Sequence, residues 1–242
     1  MARIELRDCT IKLKDGLAGT CVLAEAAPGA NDTDCDVNTI SLNTSDTDLI
    51  PVGARFTQPN SVTVHTVTAR TPASTSPTTN VVFTPAWGVT PPVQGNTITF
   101  LPQQLDIKVG EGNLTYTEAK EYEYLLDRGN LDTVREGDEQ PLEIELEFVY
   151  EFVTTGTGEA ITPVDALKRQ NGAVEWVSSS SDQCEPYAVD IEIEHNPPCG
   201  SAENEVTTLP DFRYESLEFN LSDATIATSG RCNASEASIV RD

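Results

Sequence analysis

Residues 141–155 read PLEIELEFVYEFVTT, and their alternation decides the fold. Leu142, Ile144, Leu146, Phe148, Tyr150 and Phe152 fall on one side of a period of two, with Glu143, Glu145, Glu147, Val149 and Glu151 on the other. That period belongs to a β-strand with one face in a core and the other in solvent. At about 3.3 Å per residue the run from Leu142 to Val153 would extend about 40 Å, well beyond the usual strand of about 5 or 6 residues. The expectation is one long strand whose outer face is a row of carboxylates.

The same alternation recurs on both sides of this stretch. In YAVDIEIEHN (187–196), Val189, Ile191 and Ile193 alternate with Asp190, Glu192 and Glu194. In FRYESLEFNLSDATI (212–226), Leu217, Phe219 and Leu221 alternate with Glu218, Asn220 and Ser222. Residues 3–23 predict two strands joined at Asp15-Gly16, and 105–126 predicts strands broken at Gly110 and Gly112. One helix is expected, in PVDALKRQNG (163–172). Thr162 caps it, Pro163 takes its first position, Asp165 sits three past the cap, Gly172 ends it, and Val164 and Leu167 face the core.

From 24 to 103 the composition turns to Thr, Pro, Asn, Ser and Val with few charges. DLIPVGARFT, SVTVHTVTART, TNVVFTP and NTITFLP predict short strands of a small barrel or sandwich. The predicted fold class is therefore all-β with one short helix. Residues 1–23 and 104–242 form one β-domain, into which a small β-domain of 24–103 is inserted.

Lys plus Arg number 15 against 39 Asp plus Glu, a net charge of −24. Such a balance excludes ordinary DNA or RNA binding, which works by neutralising phosphates. The opening MARIELRDC is followed by no apolar segment of about 7–15 residues that would form a signal-peptide core. No run approaches the roughly 18 apolar residues of a membrane helix. Synthesis in a cytoplasm is the expectation, with no membrane partner. Cys9, Cys21, Cys35, Cys184, Cys199 and Cys232 include no CxxC pair, and cytosolic synthesis disfavours disulfides. Free thiols are expected ahead of bridges, with Cys184 and Cys199, which bracket one strand, as the candidate disulfide.

Paired carboxylates do acid–base work only where they are desolvated. Residues i and i+2 of a strand lie about 7 Å apart, where two charges in water repel by roughly 0.6 kcal/mol. No basic residue alternates with either glutamate row, so both are read as solvated. His65 and His195 lack partners at metal spacing. Asp32, Asp34 and Asp36 have the alternate spacing of a calcium loop, but Val37 replaces the glycine its turn needs. No GxSxG, GxxxxGK[ST] or GxGxxG occurs. Catalytic residues, a metal set and cofactors are all predicted to be none, and the chain is not expected to be an enzyme.

GEGNLTYTEAKEYEYLLDRGNLDTVREGDEQPLEIELEFVYEFVT (110–154), with its LDRGxLDxVREGDE motif, resembles the central hairpin of major tail tube proteins of tailed bacteriophages. The resemblance covers roughly 1–23 and 104–242, and the inserted segment more weakly resembles small β-modules of phage virion proteins. It implies a β-sandwich assembling as stacked, hexameric rings, with strands of each subunit closing a β-barrel around a lumen that conducts DNA. Glu143, Glu145, Glu147, Glu151, Asp190, Glu192 and Glu194 are then the lumen-lining candidates. Asp127, Arg128, Asp132, Arg135, Glu136, Asp138 and Glu139 are candidates for a ring-stacking loop. The implied location is the virion tail, after assembly in the host cytoplasm. The implied partners are other copies of the chain and other tail proteins (terminator, tape measure, baseplate or sheath), with DNA passing but not bound. The insert, set outside the tube, leaves open a tail terminator, a baseplate-proximal ring or a host-binding module.

Overall fold

The computed structural model describes residues 6–26, 28–44, 50–59, 61–71, 79–110, 112–128, 130–154, 160–182, 184–195 and 204–241. The fold is all-β with one short helix. The strands before the central region are β1 (Cys9–Lys14), β2 (Gly19–Leu23), β3 (Asp34–Leu42), β4 (Arg55–Thr57), β5 (Val64–Thr71), β6 (Thr79–Thr84), β7 (Thr97–Leu101) and β8 (Gln104–Ile107). They are followed by β9 (Leu114–Thr117), β10 (Lys120–Asp127), β11 (Asn130–Glu139), β12 (Glu143–Val149), β13 (Val153–Thr154) and β14 (Ala160–Ile161). Helix α1 (Pro163–Lys168) precedes β15 (Val189–His195), β16 (Glu205–Asn220), β17 (Thr225–Cys232) and β18 (Ser238–Arg241).

The chain divides into two compact units. The first comprises residues 1–13, 106–151 and 188–242 and is built on a sheet ordered β8-β1-β15-β16-β17-β12-β9, with β18 also pairing β16. Leu142, Ile144, Leu146 and Phe148 are buried as their period predicts. Burying each such side chain contributes about 1.5–3 kcal/mol.

The strand itself is shorter than expected. β17 begins at Thr225, opposite Val149, so β12 has no partner beyond that residue. Instead the Tyr150 N–H donates to the Ala224 carbonyl at 2.7 Å. Tyr150 and Phe152, expected in the core, are 37% and 74% exposed. The longest strand is β16, whose 16 residues pass through Asp211 at φ +54° and a register shift between Tyr214 and Ser216. The turn after Asn220 leaves Leu221 exposed rather than on a strand face. The predicted break at Gly110–Gly112 is present: Gly110 has φ +62°, and a Cβ at Gly112 would lie 2.6 Å from the Glu147 carbonyl oxygen.

The second unit comprises residues 14–105 and 152–187. Six strands close a barrel in the order β2-β3-β6-β5-β4-β7, with every neighbouring pair antiparallel. Its core holds Phe56, Phe83, Trp87 and Phe100 in mutual edge and tilted ring contacts, with Leu23, Val37, Val67 and Ile98 around them. Closure removes the sheet edges that short strands would otherwise present.

The division differs from the expected one in two places. Gly19–Leu23, read as part of the first domain, is a barrel strand between β3 and β7. Residues 152–187 also group with the barrel, because Arg70 forms a bidentate pair with Glu175 (2.7 Å for each bond) and the Val52 N–H donates to the same carboxylate. Asp15, expected to be an ordinary turn residue, ties three segments of this unit. Its buried carboxylate accepts the N–H groups of Leu17, Gln103 and Val177 at 3.1, 2.6 and 3.2 Å. Gly16 permits this crossing, since a Cβ there would lie 2.1 Å from the Ser178 carbonyl oxygen.

Helix α1 starts as its sequence predicts. The Asp165 N–H donates to Thr162 Oγ1 and the Thr162 N–H to Asp165 Oδ2, a capping box, and Val164 and Leu167 are buried. It ends earlier than Gly172, at Arg169 in the left-handed region (φ +51°).

Candidate functional site

The register of the large sheet places both glutamate rows on one face. Directly opposed residues of antiparallel strands share a face. Glu143, Glu145 and Glu147 of β12 oppose Arg231, Ser229 and Ala227 of β17. These in turn oppose Arg213, Ser216 and Glu218 of β16. Phe212, next to Arg213, is buried opposite Val189, and Leu209 is buried opposite Ile191. The alternate residues Asp190, Glu192 and Glu194 therefore share the face of Arg213, and so that of Glu143, Glu145 and Glu147. The opposite face is the core of the first unit.

This face is less uniform than its rows suggest, because neighbouring strands bring cations to it. Lys12 of β1 is ion-paired with Glu194 and lies 3.8 Å from Glu192. Arg231 is 3.0 Å from Glu143, and Lys108 is 2.9 Å from Glu151, which lies just beyond the end of β12. Asp190 Oδ1 accepts the Asp211 N–H at 2.9 Å. The row on β15, expected to be fully solvated, is half-buried and held by Lys12. Glu145 and Glu147 differ from it. With Glu218, Thr115, Ser216 and Ser229 they line a shallow groove of about 320 Å³ that has no basic side chain among its described lining residues.

The segment 127–139, expected as a ring-stacking loop, is mostly strand. Asp127 pairs with Asn130, and Arg128 has φ +52°. β10 and β11 form a two-stranded sheet of their own. Asp132 falls at a register irregularity, Arg135 opposes Glu123, Glu136 opposes Tyr122, and Glu139 opposes Lys120. These residues and Asp138 are all exposed.

Alternation through this register sorts the arm into unlike faces. Tyr122, Tyr124 and Leu126 of β10 share one face with Val134, Leu131 and Glu136 of β11, while Glu123, Leu125, Thr133 and Arg135 lie on the other. The five apolar side chains of the first face remain 49%, 60%, 64%, 53% and 71% exposed, in that order. A lone two-stranded hairpin is marginal in water, and a contiguous exposed apolar stripe marks a protein contact. The sequence carried the signal in the spacing Tyr122-Tyr124-Leu126, which the charged residues beyond it hid.

No protein-family model, curated protein or solved structure matches this chain.

The remaining candidates are dispersed. Cys184 is an exposed free thiol, and Cys199, its expected partner, lies outside the described residues. Cys21, Cys35 and Cys232 are free and buried, and burial pushes the thiols of Cys21 and Cys232 up to about 12. Asp34 and Asp36 both accept from Asn80 Nδ2, at 3.3 and 3.0 Å. Among the described residues no group of three or more His, Cys, Asp or Glu is placed to hold a metal ion. No described helix is long and apolar enough to cross a membrane.

His65 lies in the barrel core, stacked on Phe56 at 5.2 Å and edge-on to Phe83 and Trp87. Its Nδ1 sits 2.7 Å from the Pro85 carbonyl, so the neutral ring donates there. Burial holds its pKa below the ordinary value, outweighing that hydrogen bond. A lowered native pKa gives stability that is complete above the unfolded value of about 6.5 and is lost as pH falls below it. His65→Phe cannot titrate, so in urea titrations from pH 7 to 5 the stability of the parent minus that of His65→Phe is expected to fall as pH falls, whatever the trend set by other groups, and a flat difference would contradict it.

Proposed function

We propose that this protein is a structural virion subunit that forms stacked, hexameric rings of a phage tail tube, its acidic sheet face lining the channel that conducts DNA. The observation that carries this reading is the placement of both carboxylate rows on one face of one sheet whose other face is core. A basic lumen would exchange counterions for phosphates and hold a duplex, whereas a carboxylate wall leaves those counterions in place. Glu145 and Glu147, with no cation among the described residues of their groove, supply the strongest field, and Glu192 and Glu194 a weaker one.

The hairpin arm supplies the assembly contact. Its apolar face packs on a neighbouring subunit with Glu136 beside Tyr122 on that face, Arg135 lies on the reverse face, and Asp127, Arg128, Asp132, Asp138 and Glu139 are exposed polar groups along the arm. Closing the sheet between subunits also covers its edge strands β8 and β9.

The triple replacement Glu143→Gln, Glu145→Gln and Glu147→Gln tests the channel role. Rings and tubes are expected to form normally, because these side chains leave the core face untouched. DNA ejection from particles built with the variant is expected to slow several-fold, followed by dye fluorescence of released DNA. Ejection at the normal rate from normally assembled tubes would remove these residues from the lumen.

A further inference from the structure

The barrel unit carries a separate concave site. A partly open cavity of about 520 Å³ is lined by Asn43, Thr44 and Pro51 and by described residues between Arg169 and Tyr187. That volume falls in the range of small-molecule sites. We propose that this cavity binds a short neutral saccharide.

The lining chemistry selects that class. Val174, Val177 and the Tyr187 ring give apolar wall, and Arg169, Glu175, Asp182 and Glu185 give charge. Glu175 is neutralised by Arg70, which leaves two carboxylates, Asp182 and Glu185, against the one guanidinium of Arg169 and disfavours phosphates and other anions. An apolar ligand would strip water from these groups without replacing its hydrogen bonds. A molecule presenting adjacent hydroxyls along with C–H surface satisfies acceptors, donors and wall together.

The polar groups are also held in place before any ligand arrives. Glu175 is fixed by Arg70 and the Val52 N–H, Ser180 Oγ donates to Glu185 Oε2 at 2.7 Å, and Asp182 Oδ1 accepts the Cys184 N–H at 2.8 Å. Each carboxylate oxygen offers more than one acceptor direction, so the bonds to Asp182 and Glu185 orient these groups without exhausting them, whereas Glu175 Oε2 already accepts two. Arg169 lies over the Tyr187 ring, 5.8 Å from its centroid, and the Tyr187 hydroxyl is anchored by donating to the Ala166 carbonyl at 3.0 Å. Arg169 enters this wall from the C-cap of α1, where its backbone is left-handed (φ +51°).

The proposal concerns the barrel unit alone and stands whether or not the protein forms tubes. Its test is saturation-transfer NMR and calorimetry on the full-length protein with lactose, maltose, cellobiose and N,N′-diacetylchitobiose, then a wider glycan array. Inorganic phosphate and D-glucuronate serve as anionic probes. At least one neutral sugar is expected to bind. Arg169→Ala and Asp182→Ala, both at exposed positions, are each expected to weaken it about tenfold, as loss of hydrogen bonds to a charged group does. Ser181→Trp, at another exposed lining position, is expected to block binding, and all three variants are expected to keep the parental melting temperature. No binding by any neutral glycan, binding unchanged in all three variants, or preference for glucuronate or phosphate would each overturn the proposal.

Discussion

Asp15→Ala is expected to destabilise the barrel unit by roughly 3 kcal/mol or more, because three N–H groups, those of Leu17 and Gln103 buried and that of Val177 part-buried, lose their acceptor and each orphaned donor costs about 1–3 kcal/mol. The donors belong to Leu17, Gln103 and Val177, which lie where the chain enters and leaves the barrel and where the 152–187 segment returns to it. Chemical denaturation near neutral pH measures the loss, and a change within about 0.5 kcal/mol, typical of surface substitutions, would contradict the role given to this residue.

The same carboxylate makes stability depend on pH. Burial pushes Asp15 up to about 7, outweighing the pull of its N–H donors. Between the unfolded value of about 3.9 and that native value, the folded state holds a proton that the unfolded state has released. This contribution is therefore greatest at about pH 4 and is lost as pH rises towards 7. Asp15→Asn cannot titrate, so subtracting its pH profile from that of the parent isolates the effect from the opposite one at His65. The difference is expected to fall steadily from pH 4 to 7, and a flat difference would show that Asp15 ionises as freely folded as unfolded.

The second large effect is expected at the arm. Leu126→Asp with Leu131→Asp places two charges on the stripe that the proposed assembly buries. Burying an unpaired carboxylate costs several kcal/mol, so association is expected to weaken by roughly a hundredfold or more. Both leucines are 64–71% exposed in the single chain, so its melting temperature is expected to stay within about 2 °C of the parent. Sedimentation velocity separates these outcomes. Unchanged assembly would place the arm outside the subunit contact, and a collapsed melting temperature would make it part of the fold.

Much of this architecture was legible in the residues, and the exceptions have physical causes. Period-two alternation gave the buried face of β12 because half-burial leaves a direct trace in sequence. It did not give the end of β12, which is set by where β17 begins, a partner 76 residues away in the chain (Val149 opposite Thr225). It gave carboxylate rows without their cations, since Lys12 and Arg231 reach those rows from neighbouring strands. That the two rows share one face depends on register, which no single strand encodes. The arm was obscured because a hairpin awaiting its contact is neither half-buried nor uniformly polar. Asp15 looked like any turn residue, its three donors coming from segments up to 162 positions apart.

Electron microscopy of the purified full-length protein over a rising concentration series tests the tube reading most directly. Sixfold rings, and stacks of rings at higher concentration, are the expected images. A species that stays strictly monomeric under every condition, with neither rings nor tubes, would contradict it.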